Sequence, residues 1–173
     1  MLAREYWKAV TVDRSDLLEQ FLAVLRERGT RFCVIGGQGV NAYTDPVVSL
    51  DFDVIVALPD LAPLEEALRA RFTVERFPHS LNVSLAGSDL RVQVQTDSRY
   101  APFVDRATER DVLGLRLPVA AIDDVLQGKL WAAEDPTRRA SKRQKDLADI
   151  ARLLEQRPDL RGRVPPVILQ RLI

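Results

Sequence analysis

The stretch that most constrains this chain runs from Phe32 to Leu58, FCVIGGQGVNAYTDPVVSLDFDVIVAL. The apolar run Phe32, Cys33, Val34, Ile35 reads as a buried strand and stops at the pair Gly36-Gly37. A small-residue segment with helical spacing follows through Gln38, Gly39, Val40, Asn41 and Ala42. A second β-branched run then carries two carboxylates, Asp51 and Asp53, among Phe52, Val54 and Val56. Strand side chains alternate faces, so Asp51 and Asp53 project together while Phe52, Val54 and Val56 project the other way. Aspartate is a poor strand former, and like charges side by side raise each other's pKa. A hard, oxygen-preferring cation such as Mg²⁺ relieves that repulsion. The glycine pair makes a strand–turn–helix junction whose bare backbone N–H groups suit phosphate. Together they point to a Mg²⁺–nucleotide site. Ser49 shares the aspartates' face, and reads equally as a phosphate or metal-water ligand and as an ordinary polar strand residue.

Gly36-Gly37 followed by Ser49 and Asp51-Phe52-Asp53 resembles the glycine-then-paired-aspartate signature of the nucleotidyltransferase superfamily (DNA polymerase β-like). The nearest version is the minimal bacterial branch that includes the AbiEii-type toxins. The stretch from Lys129 to Asp149 looks like the same branch, with a lysine-bearing helix preceding a basic helix that also carries aspartates. The resemblance spans roughly Phe32 to Leu154. It implies a small mixed β-sheet flanked by helices, Mg²⁺ on Asp51 and Asp53, and Gly36 and Gly37 cradling a nucleoside triphosphate. It also implies that Lys142 or Lys145 neutralises the departing pyrophosphate.

In that family a later strand supplies a third carboxylate. Here the corresponding strand, from Leu90, reads LRVQVQTD, with Gln93 and Gln95 on the polar face. Either Gln93 holds the third position with a neutral oxygen, or Asp97 substitutes from further along. Two functions stay open. One is Mg²⁺-dependent transfer of a nucleotidyl group to a hydroxyl on a protein, an RNA end or a small molecule, as the toxin of a toxin–antitoxin pair with a cognate antitoxin as partner; Asp51, Asp53 and Gln93 are then the catalytic set. The other is a catalytically silent relative that binds a nucleotide or a partner.

Along the rest of the chain, Ser15 is the expected N-cap of a helix carrying Leu17, Leu18, Phe21, Leu22, Val24 and Leu25 and stopped by Gly29. Pro59-Asp60 breaks the run before a short helix from Leu61 to about Ala70. A small strand at Phe72 to Arg76 and a hairpin at Leu81–Leu85 and Leu90–Thr96 follow. A short helix is expected from Tyr100 to about Thr108, then a Gly114 turn and a strand from Leu115 to Val119. Two helices complete the chain, one with the stripe Ile122, Leu126, Leu130, Ala133 and one from about Thr137 to Gln156, before a proline-punctuated tail with a short apolar helix. Residues 1–119 thus read as an α/β (α+β) nucleotidyltransferase-like core and residues 120–173 as a helical segment packed on it. In the long basic helix, Lys142–Asp146 and Lys145–Asp149 read as i, i+4 pairs on a solvated face. Lys129 reads as a lysine pointing into the cleft or snorkelling to the surface.

With 173 residues the chain fits one domain, and 46% hydrophobic residues supply a core. Lysine plus arginine equals aspartate plus glutamate at 25 each, so net charge gives an RNA acceptor no support. The one cysteine, Cys33, sits in an apolar run and excludes a disulfide framework. One histidine, His79, allows neither a zinc site nor a Ser-His-Asp triad. The N-terminal MLAREYWKAV carries no targeting pattern, and no stretch is long and apolar enough for a membrane, which makes the cytoplasm the expected compartment.

Overall fold

In the computed structural model the described residues are 3–11 and 13–172. Met1 and Leu2, the first residues of the stretch expected to carry no targeting pattern, lie outside them, as does Ile173 at the end of the tail.

The strands are β1 (Phe32–Ile35), β2 (Asp51–Val56), β3 (Thr73–Phe77), β4 (Ser80–Ser84), β5 (Arg91–Gln95), β6 (Thr108–Val112) and β7 (Leu115–Val119). They form one sheet in the order β3-β4-β5-β2-β1-β7-β6, with parallel pairings only at β2–β5 and β1–β7. The helices are α1 (Ala3–Thr11), α2 (Leu17–Glu27), α3 (Gly36–Asn41), α4 (Leu58–Arg69), α5 (Phe103–Arg106), α6 (Ile122–Glu134), α7 (Ala140–Gln156) and α8 (Pro166–Leu169). The result is a mixed α+β sheet between helices.

Period-2 alternation on β2 decides which layer covers which face. Phe52, Val54 and Val56 join Val92 and Val94 of β5 under α2 and α4, with Leu17, Phe21, Leu25, Leu64 and Leu68 fully buried against them. The opposite face carries Asp51, Asp53 and Ile55. Ile55 packs with Cys33 and Ile35 against Val125 and Leu126 of α6 and Ile150 and Leu153 of α7. Each such side chain taken from water contributes roughly 1.5–3 kcal/mol, so both faces are firmly covered. The two aspartates therefore point toward the layer formed by α6 and α7, where both are half-buried.

Local chemistry differs from the sequence expectation in several places. Asp13, not Ser15, caps α2: its buried carboxylate accepts the Leu17 N–H at 3.0 Å, and Asp16 bridges the gap with φ of 56°. Pro59 does not break a run but sits in the first turn of α4, where its missing N–H has no intrahelical use. The helix expected from Tyr100 to Thr108 shrinks to α5 and a single 3-10 turn, Ser98–Tyr100, because Thr108–Val112 pairs with β7 as a strand. Helix α1 was not anticipated. Its Trp7 is buried, and its Nε1–H donates to the Ser49 carbonyl at 2.6 Å, which anchors the segment entering β2.

Candidate functional site

Ile35 ends β1 in extended conformation, and Gly36 turns the chain into α3 with φ of +65°. Two constraints make glycine necessary there. The left-handed backbone penalises any Cβ. A Cβ would also collide with the Asp53 carboxylate, contacting Oδ2 and lying 3.0 Å from Cγ. Gly36→Ala is expected to destabilise the fold by at least about 1 kcal/mol and to displace Asp53; thermal melts with and without Mg²⁺ check this, a Mg²⁺-induced stabilisation lost in the variant being the expected sign. At Gly37 a Cβ would meet Ser49 Oγ at 3.4 Å, so the buried Ser49 hydroxyl lies directly against the turn. No side chain caps α3, which leaves its first-turn N–H groups for another acceptor.

Asp51 and Asp53 stand opposite Arg91 and Gln93 in the parallel register of β2 with β5. All four side chains share one face. Arg91 Nε lies 2.7 Å from Asp51 Oδ1, and Lys142 Nζ of α7 lies 3.3 Å from Asp51 Oδ2. Both Asp51 oxygens thus have cationic partners. Asp53 differs: among the described residues its carboxylate has no hydrogen-bond or ion-pair partner. Burial, then repulsion from Asp51, pushes its pKa from 3.8 to about 6, with Lys129, Arg138 and Lys142 offsetting part of the rise.

The structure places Gln93, not Asp97, directly across from Asp53. Gln93 Nε2 donates to Asn82 Oδ1 of β4 at 3.2 Å, which turns the amide oxygen away from Asn82. Asp97 is engaged elsewhere. It accepts the Arg99 N–H at 3.0 Å and pairs with the Arg99 guanidinium, which holds its carboxyl below the usual range. No third Asp, Glu, His or Cys joins Asp51 and Asp53 in a metal-sized cluster among the described residues. The donor set still fits one Mg²⁺: two carboxylates, one of them unpartnered and strained by the other, with a neutral amide oxygen alongside.

Helix α7 is oriented differently from the sequence expectation. Lys142 reaches the aspartates, but Lys145 is exposed and lines none of the cavities around them. The expected i, i+4 pairs do not form either. Asp146 and Asp149 are buried at 1% and 3% exposure and turn toward α6, where Lys129, itself 8% exposed, meets them at 3.1 and 2.8 Å. Arg138 adds a contact to Asp146 at 2.6 Å, and Arg152 one to Asp149 at 2.9 Å. Burial alone lowers the Lys129 pKa, but Asp149 and Asp146 outweigh it and hold the amine protonated. Arg152 also donates to Asn41 Oδ1, Thr44 Oγ1 and the Asp45 carbonyl, so this network ties α7 to the loop between α3 and β2.

Two cavities meet at Asp53 and Gln93. The smaller, about 100 Å³, contains Gly36, Lys129 and Arg138. The larger, about 400 Å³, opens on the other side and is lined by Asp51, Glu75, Asn82, Arg91 and Lys142. Arg91 was not singled out by sequence reading. Its position two residues before Gln93, matching the Asp51–Asp53 spacing, was the available signal.

Neither a family model nor a curated protein sequence matches the chain. Solved structures do. The antibiotic-resistance factor ANT(2'')-Ia aligns over 90% of this chain and 94% of its own at 14% identity, with a TM-score of 0.55. The lincosamide antibiotic adenylyltransferase LnuA, solved with lincomycin, aligns over 83% and 99% at 12% identity, also at 0.55. An antigenic nucleotidyltransferase-like protein from Paracoccidioides brasiliensis aligns over 86% and 92% at 16% identity and 0.50. The chain therefore has the fold of these nucleotidyltransferases.

Proposed function

We propose that the protein transfers a nucleotidyl group from a nucleoside triphosphate to a hydroxyl acceptor. The observation that carries this reading is the unpartnered Asp53 carboxylate, pressed between Asp51 and the positive-φ Gly36 turn. A carboxylate kept in that position is strained in the free protein and relieved by a divalent cation. ANT(2'')-Ia, seen elsewhere with adenylyl-2''-tobramycin, and LnuA both hold adenylyl chemistry on this fold, which supports the same reaction class here.

Asp51, Asp53 and the Gln93 oxygen would hold Mg²⁺, which supplies charge neutralisation at the transferring phosphate. The first-turn N–H groups at Gly36 and Gly37, with Ser49 Oγ behind them, donate to the phosphate tail. Lys142 shifts from Asp51 onto the phosphates as negative charge develops. The acceptor oxygen bonds the α-phosphorus as that phosphorus parts from the bridging oxygen. Pyrophosphate leaves with the bonding pair, and the hydroxyl proton passes to water.

A second reading has its own observation: Gln93 stands where the family's third carboxylate is expected. A protein with two acids retains nucleotide binding and loses most transfer. Incorporation of labelled nucleotide into cell lysate by wild type, Gln93→Asp and Asp97→Asn separates the two. The transfer reading expects label from wild type, undiminished in Asp97→Asn and raised at least about tenfold in Gln93→Asp. Absence of label from all three, with nucleotide still bound, favours the silent protein. The toxin role, with a cognate antitoxin as partner, rests on the AbiEii-type resemblance of the sequence. It expects a labelled cellular macromolecule in the same assay, and label confined to small molecules contradicts it.

A further inference from the structure

We propose that Arg91 selects the acceptor, and that the acceptor is a hydroxyl compound carrying an anionic group, phosphate or carboxylate. The inference rests on the nucleotidyl-transfer reading and adds the substrate class. In-line displacement puts the attacking and leaving oxygens on opposite sides of the α-phosphorus. With the phosphate tail held at the Gly36 turn, the attack comes from the side away from that turn. The 400 Å³ cavity offers room for it: it is lined by Asp51, Asp53 and Gln93 and not by Gly36 or Gly37.

Arg91 is the cation of that cavity with the freest reach. Its side chain is 59% exposed, and among the described residues its one ion-pair partner is Asp51, at 2.7 Å. Lys142 holds the other oxygen of the same carboxylate. A divalent cation claiming Asp51 therefore competes with Arg91 and leaves its guanidinium without a counter-ion. The planar fork of arginine then matches a phosphate or carboxylate on the incoming acceptor. Arg138 also borders the cavity but stays bound to Asp146. Asn82 and Ser84 add neutral polar groups, and Glu75 sits at the periphery on β3. The free protein thus stores the acceptor's anchor on the metal's ligand, so metal and anionic acceptor strengthen each other's binding, as linkage requires.

Two titrations test this on the full chain, using wild type, Arg91→Gln and Arg91→Lys. In the first, Mn²⁺ alone is the probe. Removing the competing cation in Arg91→Gln is expected to tighten Mn²⁺ binding about fivefold, with Arg91→Lys close to wild type. Weaker or unchanged Mn²⁺ binding in Arg91→Gln overturns the competition. In the second, glycerol 3-phosphate, glycerate, glycerol and tobramycin are titrated into protein holding Mg²⁺ and α,β-methylene ATP. Wild type is expected to bind at least one of the two anions in preference to glycerol and tobramycin. Arg91→Gln should lose that binding at least tenfold while it binds the Mg²⁺–analogue at least as tightly as wild type, as the freed Asp51 requires. Preference for tobramycin or glycerol, or equal anion binding in Arg91→Gln, overturns the acceptor class alone. Failure of wild type to bind the Mg²⁺–analogue overturns the nucleotidyl-transfer reading and this proposal with it.

Discussion

Asp53→Asn is expected to stabilise the metal-free protein while lowering nucleotidyl transfer by about 10²–10⁴-fold. The two effects have one cause. In the folded protein Asp53 titrates at about 6 against 3.8 for an unperturbed carboxyl, because burial and Asp51 disfavour its charge. The native state thus binds the proton more tightly than the unfolded chain. Stability falls as pH rises through the window from about 4 to about 6, and the loss is complete above it. A shift of this size corresponds to about 1–3 kcal/mol. The expected result is a variant more stable than wild type at pH 8 and equal to it at pH 4, the difference shrinking when Mg²⁺ is added. A variant less stable than wild type at pH 8 would mean that Asp53 has a stabilising partner in the free protein, contrary to the geometry. Urea titrations at the two pH values decide it.

The second large effect is expected at Lys129. Lys129→Met removes the cation shared by Asp146 and Asp149, leaving two buried carboxylates with only Arg138 and Arg152 at their edges. Breaking a buried pair from one side costs about 3–5 kcal/mol, which for a chain of this length lowers Tm by roughly 10 °C. Adding Asp146→Asn and Asp149→Asn to Lys129→Met should restore most of the loss, since the released arginines are partly exposed. A single variant that melts within about 2 °C of wild type would return Lys129 to a surface role. Because Arg152 links this network to Asn41 and the Asp45 carbonyl, the single variant should also loosen the loop that leads into β2.

These residues also mark what could be read before folding. Glycine and aspartate announce themselves locally: a pair of glycines ending an apolar run needs a turn, and two aspartates inside valines and phenylalanine need a reason. The β4–β5 hairpin was equally legible, since a four-residue polar turn joins two alternating runs. Gln93 became a candidate because the resembled family carries a third carboxylate on that strand and alternation puts Gln93 on its polar face, although its placement opposite Asp53 depends on β2 and β5 pairing in parallel, a contact between segments about forty residues apart that no local pattern encodes.

The rest was hidden for related reasons. Asp146 and Asp149 had plausible lysines four positions away on their own helix, and a helical wheel offers no way to prefer Lys129 on the neighbouring helix. The deciding fact is burial, which comes from how α6 packs on α7. Lys145 was misplaced by the same ambiguity, because a helix with cations on most of its turns shows no clear polar face. Arg91 looked like an ordinary outward residue of an alternating strand. Its meaning comes from the carboxylate beside it. Strand β6 escaped because TERDV offers little apolar alternation; at a sheet edge, backbone pairing with β7 suffices to hold it.

Asp51, Asp53 and the Gly36 turn are proposed here to form a Mg²⁺–nucleotide site. Calorimetric titration of α,β-methylene ATP into wild type, Asp51→Asn and Asp53→Asn, each with and without Mg²⁺, tests it most directly. Mg²⁺-dependent binding to wild type and none detectable in either variant is expected, with all three proteins folded. Nucleotide affinity that is equal in the three proteins, or indifferent to Mg²⁺, would contradict it.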